Sequence, residues 1–173
     1  MNDHLITLRT VREEDEKFLI DLFASTRETE LSLLPWNAQQ KETFVCTQYS
    51  AQSLQYRSTF PDLDSKIILR DGKAVGRILI FRSRIEIRVI DISLLPSFRN
   101  AGIGTRLLRT ILTEAHSTHR HARLHVALTN RARGLYERLG FRELRNNGIY
   151  VEMESSPVSA LEVVGSESVT AKE

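Results

Sequence analysis

The sequence predicts an α/β protein built on a mixed sheet, with its elements in the order β-α-α-β-β-β-α-β-α-β-β. Three stretches carry that prediction. Ser65 to Arg70 and Lys73 to Phe81 are strand-like runs on either side of Asp71-Gly72, a two-residue hairpin signal. Gly102 to His116 is an amphipathic helix, with Ile103, Leu107, Leu108, Ile111, Leu112 and Ala115 at helical spacing. A helix from Thr129 or Asn130 to Leu139 ends before Gly140, where a helix-closing glycine belongs.

The remaining elements follow in chain order. Leu5 to Arg9 reads as a first strand. Thr10 and Glu13 have the spacing of a capping box, and the acidic run Glu13 to Glu16 suits the first turn of a helix. Phe18, Leu19, Leu22 and Phe23 give that helix its apolar stripe. Pro35 and Asn37 punctuate the chain before a second helix, from about Ala38 to Arg57. Ile85 to Leu94 is a third strand of the central group, and Arg123 to Leu128 a further one. Phe141 to Leu144 and Ile149 to Glu154 form a closing hairpin around Asn146-Asn147-Gly148. Beyond Glu154 the periodicity fades. The expected organisation is one domain over residues 1–154 and a flexible tail over 155–173.

Composition narrows the class. The 173 residues suffice for one self-sustaining core, and 41% hydrophobic with 27% charged residues is the balance of a soluble globular protein. A net charge of +2 argues against a nucleic-acid groove or a polybasic membrane patch. No apolar run approaches a membrane span, and MNDHLITLRT does not read as a secretory leader. The lone Cys46 forms no internal disulfide, so a reducing, cytoplasmic compartment is expected.

The sharpest chemical signal joins the third central strand to the amphipathic helix: Leu94-Leu95-Pro96-Ser97-Phe98-Arg99-Asn100-Ala101-Gly102-Ile103-Gly104-Thr105. Gly102 and Gly104 lack side chains, so backbone N–H groups can approach a ligand closely. The first N–H groups of a helix are unpaired, and its dipole favours an anion there. Arg99, Arg106 and Arg109 add positive charge. The stretch reads as a pyrophosphate site built from backbone. A dinucleotide fingerprint would need a third glycine where Leu107 stands, and a nucleoside-triphosphate loop a Gly-Lys-Ser/Thr ending that Gly104-Thr105-Arg106 does not supply. The plainer alternative is a structural turn.

Arg99-Asn100-Ala101-Gly102-Ile103-Gly104 resembles the (Gln/Arg)-x-x-Gly-x-(Gly/Ala) acyl-CoA motif of the GCN5-related N-acetyltransferases, the GNAT superfamily. Asn130-Arg131-Ala132-Arg133-Gly134-Leu135-Tyr136-Glu137-Arg138-Leu139-Gly140-Phe141 is similar to their second signature, one residue shorter before Leu-Tyr. The resemblance covers roughly residues 5 to 154. It implies a mixed, mostly antiparallel sheet flanked by helices, with a splayed strand pair for acyl-CoA. It implies acetyl-CoA as cosubstrate, no metal, and an N-acetyltransferase acting by direct attack of a primary amine in a ternary complex. A non-catalytic acyl-CoA-binding regulatory module is the alternative.

The resemblance also assigns roles. The diphosphate lies on backbone around Arg99, Asn100, Ala101, Gly102, Ile103, Gly104 and Thr105. The Leu94 and Leu95 N–H groups polarise the thioester carbonyl. Asn130 bonds the pantetheine amide. Tyr136 protonates the leaving thiolate, since a phenol is protonated at neutral pH; the plainer reading is a ring that packs its helix on the sheet. His125 and Asp91 are candidate bases, though each also reads as a structural residue, a hydrogen-bonded histidine and a partner for an arginine. The first two helices wall the acceptor site in this family, which points to Trp36, Gln48 and Gln52 for substrate binding; a solvated polar face explains the glutamines equally well. The acceptor is a small-molecule or peptide amine, with a homodimer left open. His116, His119 and His121 lack the third placed donor that a metal site needs, so no metal is expected.

Overall fold

The computed structural model describes residues 4–157; the tail expected over 155–173 lies, but for its first three residues, outside the described residues. Contacts divide the chain into two compact units, Met1–Ser83 with Arg88–Leu107, and Arg84–Ile87 with Leu108–Glu173.

The first unit holds β1 (Ile6–Thr10), α1 (Glu16–Ser25), α2 (Glu28–Ser32), α3 (Ala38–Thr59), β2 (Asp64–Arg70), β3 (Lys73–Arg82), most of β4 (Glu86–Leu94) and the first turn of α4 (Ile103–Ser117). Its strands are ordered β1-β2-β3-β4. β1 and β2 pair antiparallel, with Leu8 opposite Ile68. β2 and β3 pair antiparallel around Asp71-Gly72, whose φ angles of 51° and 80° fit the two-residue hairpin that the sequence predicts. Residues 75–80 of β3 are buried on both faces. One face presents Arg77 and Leu79, aligned through Ile67↔Arg77 and Ser65↔Leu79. Leu19, Leu22 and Phe23 of α1 and Val45 of α3 supply the buried helical side of this core.

Asn37 caps α3: its side chain accepts from Gln40 N–H and Gln40 returns a bond to Asn37 N–H, each at 2.9 Å. The start of α1 differs from the sequence expectation. Thr10 ends β1 instead of capping a helix, and a short 3-10 turn, Glu13–Asp15, precedes α1. Asp15 holds this entry. It accepts two bonds from Arg9 at 2.7 Å and one from Arg12 N–H at 2.8 Å. The Arg9 bonds, opposed by burial and helped by Arg12, hold its carboxyl at about 2. The five-residue α2 has no counterpart in the sequence reading; its lack of buried residues explains why no apolar period marks it.

The second unit holds the start of β4, the rest of α4, β5 (His121–Ala127), α5 (Arg133–Arg138), β6 (Arg142–Asn146) and β7 (Tyr150–Ser155). β7 pairs antiparallel with both β5 and β6, and Leu124, Val126, Val151 and Met153 are buried. Arg123 bridges Glu86 at 2.8 Å and Glu154 at 2.6 Å. α5 starts at Arg133, later than predicted, because Asn130 Oδ1 takes Ala132 N–H at 2.9 Å and holds residues 130–132 as a turn. The element set is that of a mixed α/β protein with mostly antiparallel strands and flanking helices, as the sequence predicts. Among the described residues no helix is long and apolar enough to cross a membrane.

Candidate active site

In the first unit β4 ends at Leu94, and a 3-10 turn over Pro96–Phe98 leads towards α4. Asn100 at φ 58° and Gly102 at φ 76° take the left-handed conformation that asparagine and glycine adopt most readily. Arg106 N–H then donates to Gly102 C=O at 3.0 Å and closes the first turn of α4. The N–H groups of Ile103, Gly104 and Thr105 precede that ladder, at the positive end of the helix dipole. A Cβ added to Gly102 would meet nothing within 4 Å, and one added to Gly104 only Ile92 Cδ1 at 3.9 Å. Both glycines therefore leave space beside the turn, and the backbone donors at a helix start suit a phosphate. A pocket of 160 Å³ borders it, lined by Ala101, Gly102 and Ile103 together with His4, Arg70 and Arg106, and by no carboxylate.

Two of the expected donors are occupied. Leu95 N–H donates to Val75 C=O at 2.9 Å, which corrects its assignment beside Leu94 as a donor to the thioester carbonyl. Arg99 N–H donates to Pro96 C=O at 3.2 Å. Its guanidinium turns away from the turn, donating to Leu94 C=O at 2.9 Å and Ser25 C=O at 3.2 Å. Arg99 thus ties the end of β4 to the end of α1 instead of presenting a donor to a ligand. β3 passes close beside the same place: a Cβ on Gly76 would overlap Ser93 O and lie 2.7 Å from Leu94 Cδ2.

Asp91 and Ser93 share a face of β4. Asp91 accepts from Arg77 Nη2 at 2.8 Å, the arginine partnership foreseen as its plainer role, and from Ser93 Oγ at 3.0 Å. Arg77 also lies 6.0 Å from the Tyr49 ring. Both residues border a cavity of 250 Å³ that sequence reasoning missed. An acceptor wall is expected on Gln48 and Gln52. Gln48 is exposed and Gln52 half-buried, and neither lines this cavity; α3 turns Tyr49, Ser53 and Tyr56 towards it. Those three recur at spacings of four and three, a helical stripe that was legible beside the glutamines. Trp36 is half-buried and packs edge-on against Phe44, centroids 5.1 Å apart.

In the second unit Tyr136 is buried on α5, its ring edge-to-face with Phe141 at 6.0 Å. Asn130 has one side-chain oxygen committed to the Ala132 cap. His125 is exposed on β5, 3.9 Å from the Glu152 carboxylate. His116 meets Ser155 Oγ at 3.1 Å and His121 meets Glu154 at 3.1 Å. Burial pushes the Glu154 carboxyl up, but bonds from Ser156 and Arg123 outweigh it and hold the group below its usual range. Among the described residues no group of three or more His, Cys, Asp or Glu is placed to hold a metal.

The sequence matches the family model described as an acetyltransferase (GNAT) domain over residues 32–153. No curated protein sequence matches it. Solved structures do match in fold. The PaiA N-acetyltransferase of Thermoplasma acidophilum, in complex with coenzyme A, is 20% identical; the match covers 88% of this chain and 99% of that one at a TM-score of 0.65. An acetyltransferase from Streptococcus agalactiae is 16% identical, with coverage of 90% and 99% and a TM-score of 0.59. The ribosomal-protein-S18-alanine N-acetyltransferase of Escherichia coli is 18% identical, with coverage of 90% and 96% and a TM-score of 0.57. At these identities the likeness is one of fold.

Proposed function

Since the chain belongs to the GNAT acetyltransferase family, we propose that it moves the acetyl group of acetyl-CoA to a primary amine by direct attack in a ternary complex. The observation that carries this reading is the turn from Asn100 to Thr105. Its two left-handed residues, its open glycines and the unpaired donors at the start of α4 suit the diphosphate of the donor. The family relationship and the coenzyme A bound to the PaiA enzyme point the same way.

When bound, acetyl-CoA supplies a thioester whose acyl carbon an unprotonated amine attacks as the C–S bond breaks. Leu94 N–H steadies the charge that develops on the carbonyl oxygen. Tyr136 gives its phenolic proton to the departing sulfur. The amine's own proton leaves to a base, for which His125 and Asp91 are the candidates: His125 is exposed beside Glu152, and Asp91 is held by Arg77 and Ser93. Asn130 retains its amide N–H groups for the pantetheine arm. The lone cysteine suits a reducing, cytoplasmic setting.

The test is release of free thiol from acetyl-CoA over a panel of primary amines, run beside calorimetric binding of acetyl-CoA. Thiol release that depends on an amine supports the transferase. Binding without release by any amine would favour the regulatory module.

A further inference from the structure

Arg77 carries a buried side-chain donor without a partner. It is 6% exposed, in the middle of β3. A guanidinium carries five N–H donors. Arg77 uses Nη2 alone, on Asp91 Oδ2 at 2.8 Å. Its Nε–H is buried with no acceptor. The second oxygen of Asp91, which could have taken that proton, accepts from Ser93 instead. A buried donor left without an acceptor costs free energy, so such groups mark places where a ligand or water completes the bonding.

The cavity that Arg77 borders has a consistent chemistry. Its lining contains a second guanidinium, Arg57, and no carboxylate. Arg57 is exposed and has no ion-pair partner among the described residues. Ser53 and Ser65 add hydroxyls, and Leu19 and Leu79 supply an apolar wall. The volume of 250 Å³ is that of a small organic molecule, well beyond one water. The cavity also sits on the sheet face that leads to the proposed acyl site. Arg77 is tied to Asp91, and Asp91 lies three residues, about 10 Å of strand, from Leu94.

We infer that this cavity is an acceptor subsite that recognises a carboxylate, so that the acyl acceptor is an amine bearing a carboxylate and an apolar side chain, as in an amino acid. The inference rests on the transferase reading for its role, while the carboxylate site itself is testable without turnover. Arg57 supplies a charge that no described carboxylate meets, and Arg77, paired with Asp91, lines the cavity beside it. Planar guanidinium suits carboxylate better than a lysine ammonium would.

The probes are N-acetyl-leucine and N-acetyl-leucinamide, which differ only in the carboxylate, titrated calorimetrically into the full chain. The carboxylate should bind at least about tenfold more tightly than the amide. Arg57→Gln changes an exposed residue, and Arg77→Lys keeps the charge against Asp91 while removing the planar guanidinium from the cavity wall. Each should reduce the preference several-fold, with an unchanged melting temperature for Arg57→Gln. Equal binding of the two probes, absence of binding by both, or a preference untouched by Arg57→Gln would overturn the subsite. If the preference is present but no amine, carboxylated or not, releases thiol from acetyl-CoA, the transferase reading fails and the subsite stands. If amines without a carboxylate are acetylated as well as amino acids, the reverse holds.

Discussion

Tyr136 and Phe141 are joined twice: Phe141 N–H donates to Tyr136 C=O at 3.0 Å, and their rings meet edge-to-face with centroids 6.0 Å apart. With Gly140 N–H on Glu137 C=O at 3.0 Å and Gly140 at φ 92°, this is a Schellman closure of α5 with its usual apolar contact. The ring of Tyr136 is therefore held by local structure, independently of what its hydroxyl does.

That separation makes Tyr136→Phe informative. The substitution keeps the ring and its contact with Phe141 and removes only the hydroxyl. With a competent amine, kcat should fall by about 10²–10⁴-fold while acetyl-CoA affinity changes little. Steady-state kinetics beside calorimetry reads both numbers. A wild-type rate would leave Tyr136 with its packing role alone.

Gly140→Ala and Gly76→Ala should both destabilise, for different reasons. At Gly140 an added Cβ has room, but φ 92° is strained for any L side chain, a cost of about 1–2 kcal/mol. At Gly76 the Cβ collides with the backbone of Ser93, an overpacking cost of about 1–3 kcal/mol. Urea unfolding measures the losses. Only Gly76→Ala should also weaken acetyl-CoA binding, because it displaces the end of β4.

Gly104 separates size from charge at the proposed phosphate turn. Gly104→Ala places its methyl at ordinary contact with Ile92 and should fold normally, with acetyl-CoA affinity within a few-fold of wild type. Gly104→Glu puts a carboxylate beside the diphosphate and should lose most of that affinity in a protein that still folds. Retained binding by a folded Gly104→Glu variant would move the diphosphate elsewhere.

Asp15 sets an acid limit. Its carboxyl is held at about 2, against an ordinary 3.8, chiefly by Arg9. A depressed folded pKa means that the contribution is fully present above about pH 4 to 5 and is lost as pH falls towards 2. Asp15→Asn should therefore lower the urea midpoint clearly at pH 6 and by only about a third as much at pH 2.5. An equal loss at both would show that the carboxylate charge is not what Arg9 and the chain entry depend on.

Periodicity and glycine placement were enough to read the element order apart from α2, the Asp71-Gly72 hairpin, the turn before α4 and the closing glycine of α5 from sequence. These are local: hairpins, caps and amphipathic stripes depend on residues a few positions apart. The two signature motifs likewise identify the family without coordinates. What sequence left undecided depended on which side chains and backbone groups meet once the chain is packed. Arg9 reaches Asp15 and moves the helix start off Thr10. Val75 takes the Leu95 N–H, and Ser25 with Leu94 takes the Arg99 guanidinium, so two expected ligand donors are spent on the fold. The rotation of α3 over β3 turns Tyr49, Ser53 and Tyr56, and not Gln48 and Gln52, towards Arg77. A hydrogen-bond donor can be listed from sequence, but whether it is still free is settled only when tertiary packing has assigned every acceptor within reach.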